Sequence, residues 1–348
     1  MNPFKKSNGV KKQVALDNFT LNIVISLLAA IIALLLITGI YFIVAGVSSS
    51  GSAGGDLDND ISASADATYP FRQDINITVP DYADDSDVIS GINSPYAVLV
   101  DVTDNKIIAS KASSAEIYPA SMTKVMSRIV VYENLKNVDS LNDKLTVTQE
   151  YYDRKVSEQH SGDLNTVGQV LTVKDMIYNL ILKSDGIAAM ALCDYIAGSE
   201  SAFVELMNAK AEELGLEKTQ FKNSTGMHEK YHLTTAKEMA VIMMYAMKNT
   251  FCAEVLSAMS HVNSDGTSVY HATLVTKLNN DRPAYTVSPN TAKITAAKSG
   301  WTGSDSGHCL VTFAQGNNGH KYILVTAKAE TSTLVIEDML NIYNDYAK

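Results

Sequence analysis

Tyr118-Pro-Ala-Ser-Met-Thr-Lys124 sets a serine, Ser121, three residues ahead of a lysine, Lys124, at the opening of a helical pattern. Apolar residues recur at Met122, Val125, Met126, Ile129 and Val130, the spacing of one helix face. Pro119 and Ala120 stand where such a helix would start. Positions three apart on a helix share a face, with Cβ atoms roughly 5–6 Å apart. Ser121 therefore falls in the first turn, with Lys124 beside it. A serine hydroxyl is a weak nucleophile until a base takes its proton. A lysine amine can be that base once burial or a neighbouring cation lowers its pKa. The N–H groups at a helix start favour a developing oxyanion. Ser-x-x-Lys also arises by chance, so its reading depends on what accompanies it.

The chain has 348 residues, room for one large or two small domains with additions. A net charge of −10 and the lack of a basic stripe argue against a nucleic-acid partner. Cys193, Cys252 and Cys309 are widely spaced and lie in apolar company, so they read as buried free thiols rather than a metal or disulfide framework.

Residues 21–47 carry no charge, a run longer than the ~20 residues that span a bilayer. Lys5, Lys6, Lys11 and Lys12 precede it, which places residues 1–20 in the cytoplasm as a basic tail. The run is long for a signal-peptide core and no clear cleavage site follows, so it reads as an uncleaved signal anchor. Residues 48–93 open with Ser48-Ser-Ser-Gly-Ser-Ala-Gly-Gly55 and hold nine aspartates between Asp56 and Asp87 against one basic residue, Arg72. That composition reads as an acidic flexible linker. The expectation is a single-pass cell-membrane protein with residues 94–348 as an extracellular folded domain.

Within that domain, Tyr96–Val102 and Ile107–Ser110 read as a hairpin. Residues 173–197 read as two helices broken at Lys183–Gly186. A helix from about Ala202 stops at Gly215, and Thr235-Ala-Lys-Glu238 opens another. Strands over 291–298, 308–314 and 322–327 follow, the last two joined at Gly316-Asn-Asn-Gly319, before a final helix over about 333–346. Strands at both ends with helices between predict one sheet and a helical insertion.

Two further stretches accompany Ser121. Ser184-Asp-Gly186 lies between two helices, and Lys298-Ser-Gly-Trp-Thr302 ends a strand. The order Ser-x-x-Lys, Ser-x-x, Lys-Ser-Gly resembles the three motifs of the penicillin-interacting serine enzymes. With Ile117–Lys124, Asp194–Gly198, Phe203–Asn208, Asn223–Met227 and His232–Ala236, residues 94–348 resemble the D-alanyl-D-alanine carboxypeptidases, the low-molecular-mass penicillin-binding proteins. The resemblance implies an α/β (α+β) fold of the β-lactamase/transpeptidase-like kind. An antiparallel sheet would be flanked by helices, with a helical subdomain and one transmembrane helix ahead of it.

The resemblance also implies roles. Ser121 attacks the penultimate D-alanine carbonyl of a peptidoglycan pentapeptide stem, Lys124 takes its proton, and Ser184 relays it to the departing D-alanine. Backbone N–H groups of Ser121 and Trp301 form the oxyanion hole. Lys298, Ser299 and Thr302 hold the terminal carboxylate, and Gly300 allows close approach. Lys298 is also expected to help keep Lys124 neutral. β-Lactam antibiotics would be covalent inhibitors, with no cofactor and no metal. In the middle motif, however, Gly186 stands where the family usually has an asparagine contacting substrate and lysine.

Several alternatives have specific sequence grounds. A weakened penicillin-binding or wall-binding protein follows if Gly186 is uncompensated. A transpeptidase would differ only in its acceptor. A β-lactamase-like hydrolase would need a deacylating glutamate, and Glu205-Leu-Met-Asn208 is one residue short of that pattern. His228-Glu-Lys-Tyr-His232 fits a zinc-protease pattern, but it follows Gly226 and precedes a fresh helix start, so it reads as loop.

Overall fold

The computed structural model describes residues 75–275 and 291–347. The basic tail, the predicted span over 21–47 and most of the predicted linker lie outside the described residues. The described chain is built on a six-stranded sheet: β1 (Asp81–Val88), β2 (Tyr96–Asp101), β3 (Lys106–Lys111), β4 (Ala292–Gly300), β5 (His308–Gly316) and β6 (Lys321–Ala329), in the order β1-β3-β2-β6-β5-β4. Neighbours from β3 to β4 run antiparallel, whereas β1 lies parallel to β3 at the edge. The sheet is thus mixed rather than purely antiparallel. The acidic stretch expected to be linker through residue 93 contributes this edge strand. It joins by backbone pairing, which asks nothing of side-chain hydropathy.

Alternation along the strands divides two cores. Val98, Val100, Val311, Ile323 and Val325 face one way, while Ala97, Leu99, Leu310, Leu324 and Ala314 face the other. The second face is covered by the C-terminal helix α8 (Ser332–Tyr346), through Val335, Met339, Ile342 and Tyr343. Asp338 of α8, fully buried, accepts from Asn93 N, Asn93 Nδ2 and Ser94 N at 2.8, 3.0 and 2.6 Å. This ties the turn between β1 and β2 to the far end of the chain.

The first face carries the helical region: α1 (Lys124–Glu133), α2 (Gln149–Ser157), α3 (Val173–Leu182), α4 (Gly186–Ala197), α5 (Glu200–Glu213), α6 (Ala236–Lys248) and α7 (Thr250–Ser257). α6 lies across β6 and β2. Side-chain caps start most of these helices, among them Thr148, Thr172, Asp185, Ser199, Thr235 and Asn249. Thr235 accepts from Glu238 N, but the Glu238 carboxylate turns to Lys218 N and Thr219 Oγ1, so only half of the expected capping box forms. Ile75, Ile77 and Val79 pack partly buried against the helical core, not as a strand. The three cysteines are free and buried.

Candidate functional site

Ser121 lies in a 3₁₀ turn, Ala120–Thr123, that leads directly into α1. Ala120 takes φ +47°, a left-handed conformation that costs a non-glycine residue about 1–3 kcal/mol. Two close approaches hold it there. A Cβ on Gly226, itself at φ +84°, would fall 1.9 Å from Ala120 O. A Cβ on Gly300, at the end of β4, would fall 2.8 Å from Ser121 N and 3.0 Å from Pro119 O. Glycine at both positions lets a loop and a strand end close on the Ser121 turn.

Lys124 Nζ donates to Ser121 Oγ at 3.1 Å and to Thr225 O at 2.6 Å. The lysine is 2% exposed, and burial lowers its pKa to about 7, with the Asp185 charge pulling the other way. The expected help from Lys298 is thus replaced by desolvation as the cause. The acceptor Thr225 O comes from the turn Asn223–Gly226, where Asn223 Oδ1 accepts from Thr225 N and Gly226 N. Ser127, one turn along α1, donates to Ser224 O at 2.6 Å and secures the same turn.

Ser184 occupies the break between α3 and α4 at φ +56°, again left-handed for a non-glycine residue. Its Oγ accepts from Lys298 Nζ at 3.0 Å, and Lys298, also 2% exposed, donates further to Ser299 O at 2.8 Å. The middle and last motifs therefore meet through one ammonium group. Ser299 Oγ lies 3.0 Å from Thr273 Oγ1. Thr302 N donates to Ser306 Oγ, while Thr302 Oγ1 is buried with no hydrogen-bond partner among the described residues. Trp301 is 59% exposed and stacks on His308, so it borders the site rather than filling a core.

Asp185 points away from the cleft: it caps α4 by accepting from Ala188 N and takes Leu164 N. Residues 228–232 form no helix. His232 is buried, with Nδ1 accepting from Lys222 N and Nε2 directed at Thr123 Oγ1, while His228 packs tilted against the Tyr118 ring. Glu205 sits exposed on α5, and Asn208 pairs with the Phe221 backbone. His160 is a site neighbour that no motif in the sequence marks, and Thr225 is one to which the sequence assigned no role. The Asn-Ser-Thr-Gly turn signal was the available clue to Thr225.

Comparison with known proteins bears on the family and the fold. The chain is 35% identical over 153 residues to D-alanyl-D-alanine carboxypeptidase DacF of Bacillus subtilis (strain 168), covering 44% of this chain and 38% of the relative, so it spans well under half of that protein. It is 31% identical over 236 residues to the D-alanyl-D-alanine carboxypeptidase of Streptomyces sp. (strain K15), covering 64% of this chain and 76% of the relative. The crystal structure of the Streptomyces K15 DD-transpeptidase shares the fold, with a TM-score of 0.63 at 23% identity over 73% of this chain and 97% of that one. The D-alanyl-D-alanine carboxypeptidase family model matches residues 83–331, beginning inside β1, and the chain belongs to that family.

Proposed function

We propose that this chain is a serine-type D-Ala-D-Ala carboxypeptidase that trims the terminal D-alanine from peptidoglycan pentapeptide stems. The observation that carries the reading is the buried Lys124 amine, 3.1 Å from Ser121 Oγ with a pKa near 7. It is a base poised at neutral pH against the one hydroxyl of the Ser121 turn that needs one. Ser121 attacks the penultimate D-alanine carbonyl and Lys124 takes its proton. The oxyanion lies against the Ser121 and Trp301 N–H groups. Ser184, hydrogen-bonded to Lys298, relays the proton to the leaving D-alanine. Lys298, Ser299 and Thr302 hold the terminal carboxylate, for which the buried Thr302 hydroxyl is an available donor. Gly300 lets the end of β4 close on the Ser121 turn, which sets the carboxylate-holding residues beside the nucleophile. Water then resolves the acyl-enzyme.

The reading extends to the rest of the chain. Residues 21–47 anchor the protein in the cell membrane and residues 1–20 remain cytoplasmic. The acidic stretch from 48 acts as a spacer, holding the catalytic domain outside the cell. β-Lactams acylate Ser121 as substrate mimics. The test is covalent labelling of the purified full-length protein with fluorescent penicillin, with and without chelator, beside Ser121→Ala, followed by D-alanine release from a pentapeptide. Labelling that survives chelator and vanishes in the variant supports the reading. A folded wild-type protein that takes no label overturns it in favour of a wall-binding protein.

A further inference from the structure

We propose that His160 stands in, from another segment of the chain, for the side chain that residue 186 lacks, and acts as a positioning residue for Ser184 and Lys124. The inference rests on the roles proposed above for Ser121 and Lys124. A Cβ on Gly186 would lie 2.4 Å from His160 Cβ, 2.7 Å from Cγ and 3.1 Å from Nδ1. The imidazole therefore occupies the space in which any side chain at 186 would begin. It packs under the turn that presents Ser184, with only 2% of its side chain exposed.

The segment bearing His160 is fixed on several sides. Gly186 N donates to Ser161 O at 3.0 Å. Lys155 Nζ donates to Gly162 O, Leu164 O and Asn165 Oδ1 at 2.7, 3.0 and 2.7 Å. A Cβ on Gly162, at φ +113°, would fall 2.0 Å from Asp185 Oδ2, so the two segments interlock at glycines on both sides.

The ring is also the end of a chain of hydrogen bonds and ion pairs that reaches the other half of the site. His160 Nε2 lies 2.7 Å from Glu158 Oε2, and Glu158 accepts from Arg154 Nε at 2.8 Å. Arg154 pairs with Glu200, whose Oε1 accepts from Ser224 N and Ser224 Oγ at 3.0 and 2.8 Å. The next residue supplies the carbonyl that receives Lys124 Nζ. A volume filler alone would need none of these polar links. The chain runs from beneath the Ser184 turn to the acceptor that aims the Lys124 amine. Burial, with Lys124 and Arg154 nearby, outweighs the Glu158 contact and holds the imidazole below its ordinary pKa.

The test uses the full-length protein and fluorescent penicillin, measuring the acylation rate constant and the dissociation constant of the first complex separately. His160→Ala should slow acylation about ten-fold or more while that dissociation constant stays within about two-fold. Gly186→Asn alone collides with the ring and should both lower the Tm and slow acylation. His160→Gly combined with Gly186→Asn should recover acylation to within about three-fold of wild type and melt above Gly186→Asn, a non-additive pair. Wild-type acylation in His160→Ala would overturn the proposal, as would a folded double variant no faster than His160→Ala. Absence of Ser121 labelling in the wild type would instead remove the underlying functional reading and the positioning role with it, and the Tm values would still report whether the two positions compete for one space.

Discussion

Acylation of Ser121 should track the free-base fraction of Lys124. With the amine at about pKa 7, that fraction is about one half at pH 7, about 1% at pH 5 and nearly complete at pH 9. The acylation rate constant should therefore fall roughly 50-fold from pH 7 to pH 5 and rise only about two-fold from pH 7 to pH 9. An ordinary lysine, near pKa 10.4, would instead give a rate still climbing about ten-fold per unit at pH 9. The assay is single-turnover reaction of the full-length protein with a fluorescent penicillin, quenched over time, at constant ionic strength from pH 5 to pH 9. Because the Asp185 carboxylate raises the Lys124 pKa, Asp185→Asn should carry the inflection to lower pH. A rate independent of pH between 5 and 7, or an inflection at 9 or above, would refute Lys124 as a base set by desolvation.

The same burial has a cost in stability. The folded-state pKa of Lys124 lies below its unfolded value, so between about pH 7 and 10.5 the unfolded chain holds a proton that the folded chain releases. The penalty is full below pH 7, shrinks as pH rises, is gone above about 10.5, and comes to about 4 kcal/mol at pH 7. Lys124→Met should thus abolish penicillin labelling yet stabilise the fold by about 2 kcal/mol in urea at pH 7, once the Thr225 carbonyl left unpaired is counted. Gly300→Ala should cut acylation by about 100-fold and also lower the Tm, because the added carbon meets the Ser121 backbone 2.8 Å away and one of the two must shift. Asp338→Ala should destabilise by about 3 kcal/mol in denaturant titration, since Asn93 N and Ser94 N lose their charged acceptor inside the fold.

Much of the site was legible because each motif is local. Ser121 and Lys124 share one turn, and Lys298 through Thr302 share one strand end. The hairpin of β2 and β3, the break at Ser184 and the final helix were legible from apolar periodicity and turn residues. β1 was not, because Asp81–Val88 has no apolar alternation; Tyr82 and Val88 are exposed and the strand is held by its backbone. α2 was not, because it buries only Lys155 and shows no apolar face. Thr225 takes part through its carbonyl, which leaves no mark on residue type. His160 lies 26 positions from Gly186 in sequence, and only the folded chain brings them together.

The acidic edge strand has a consequence for how this domain avoids its own copies. β3 offers a backbone edge beside buried Ile107 and Ala109, a template on which a strand from another molecule could grow. β1 occupies that edge and presents exposed Asp81, Asp84 and Asp87 in its place. A second copy approaching strand to strand would bring like charges into register and would find few apolar side chains to cover. A chain shortened to begin at Tyr96 would keep every motif residue but uncover β3, and it should associate through that edge in a concentration-dependent way, read by light scattering.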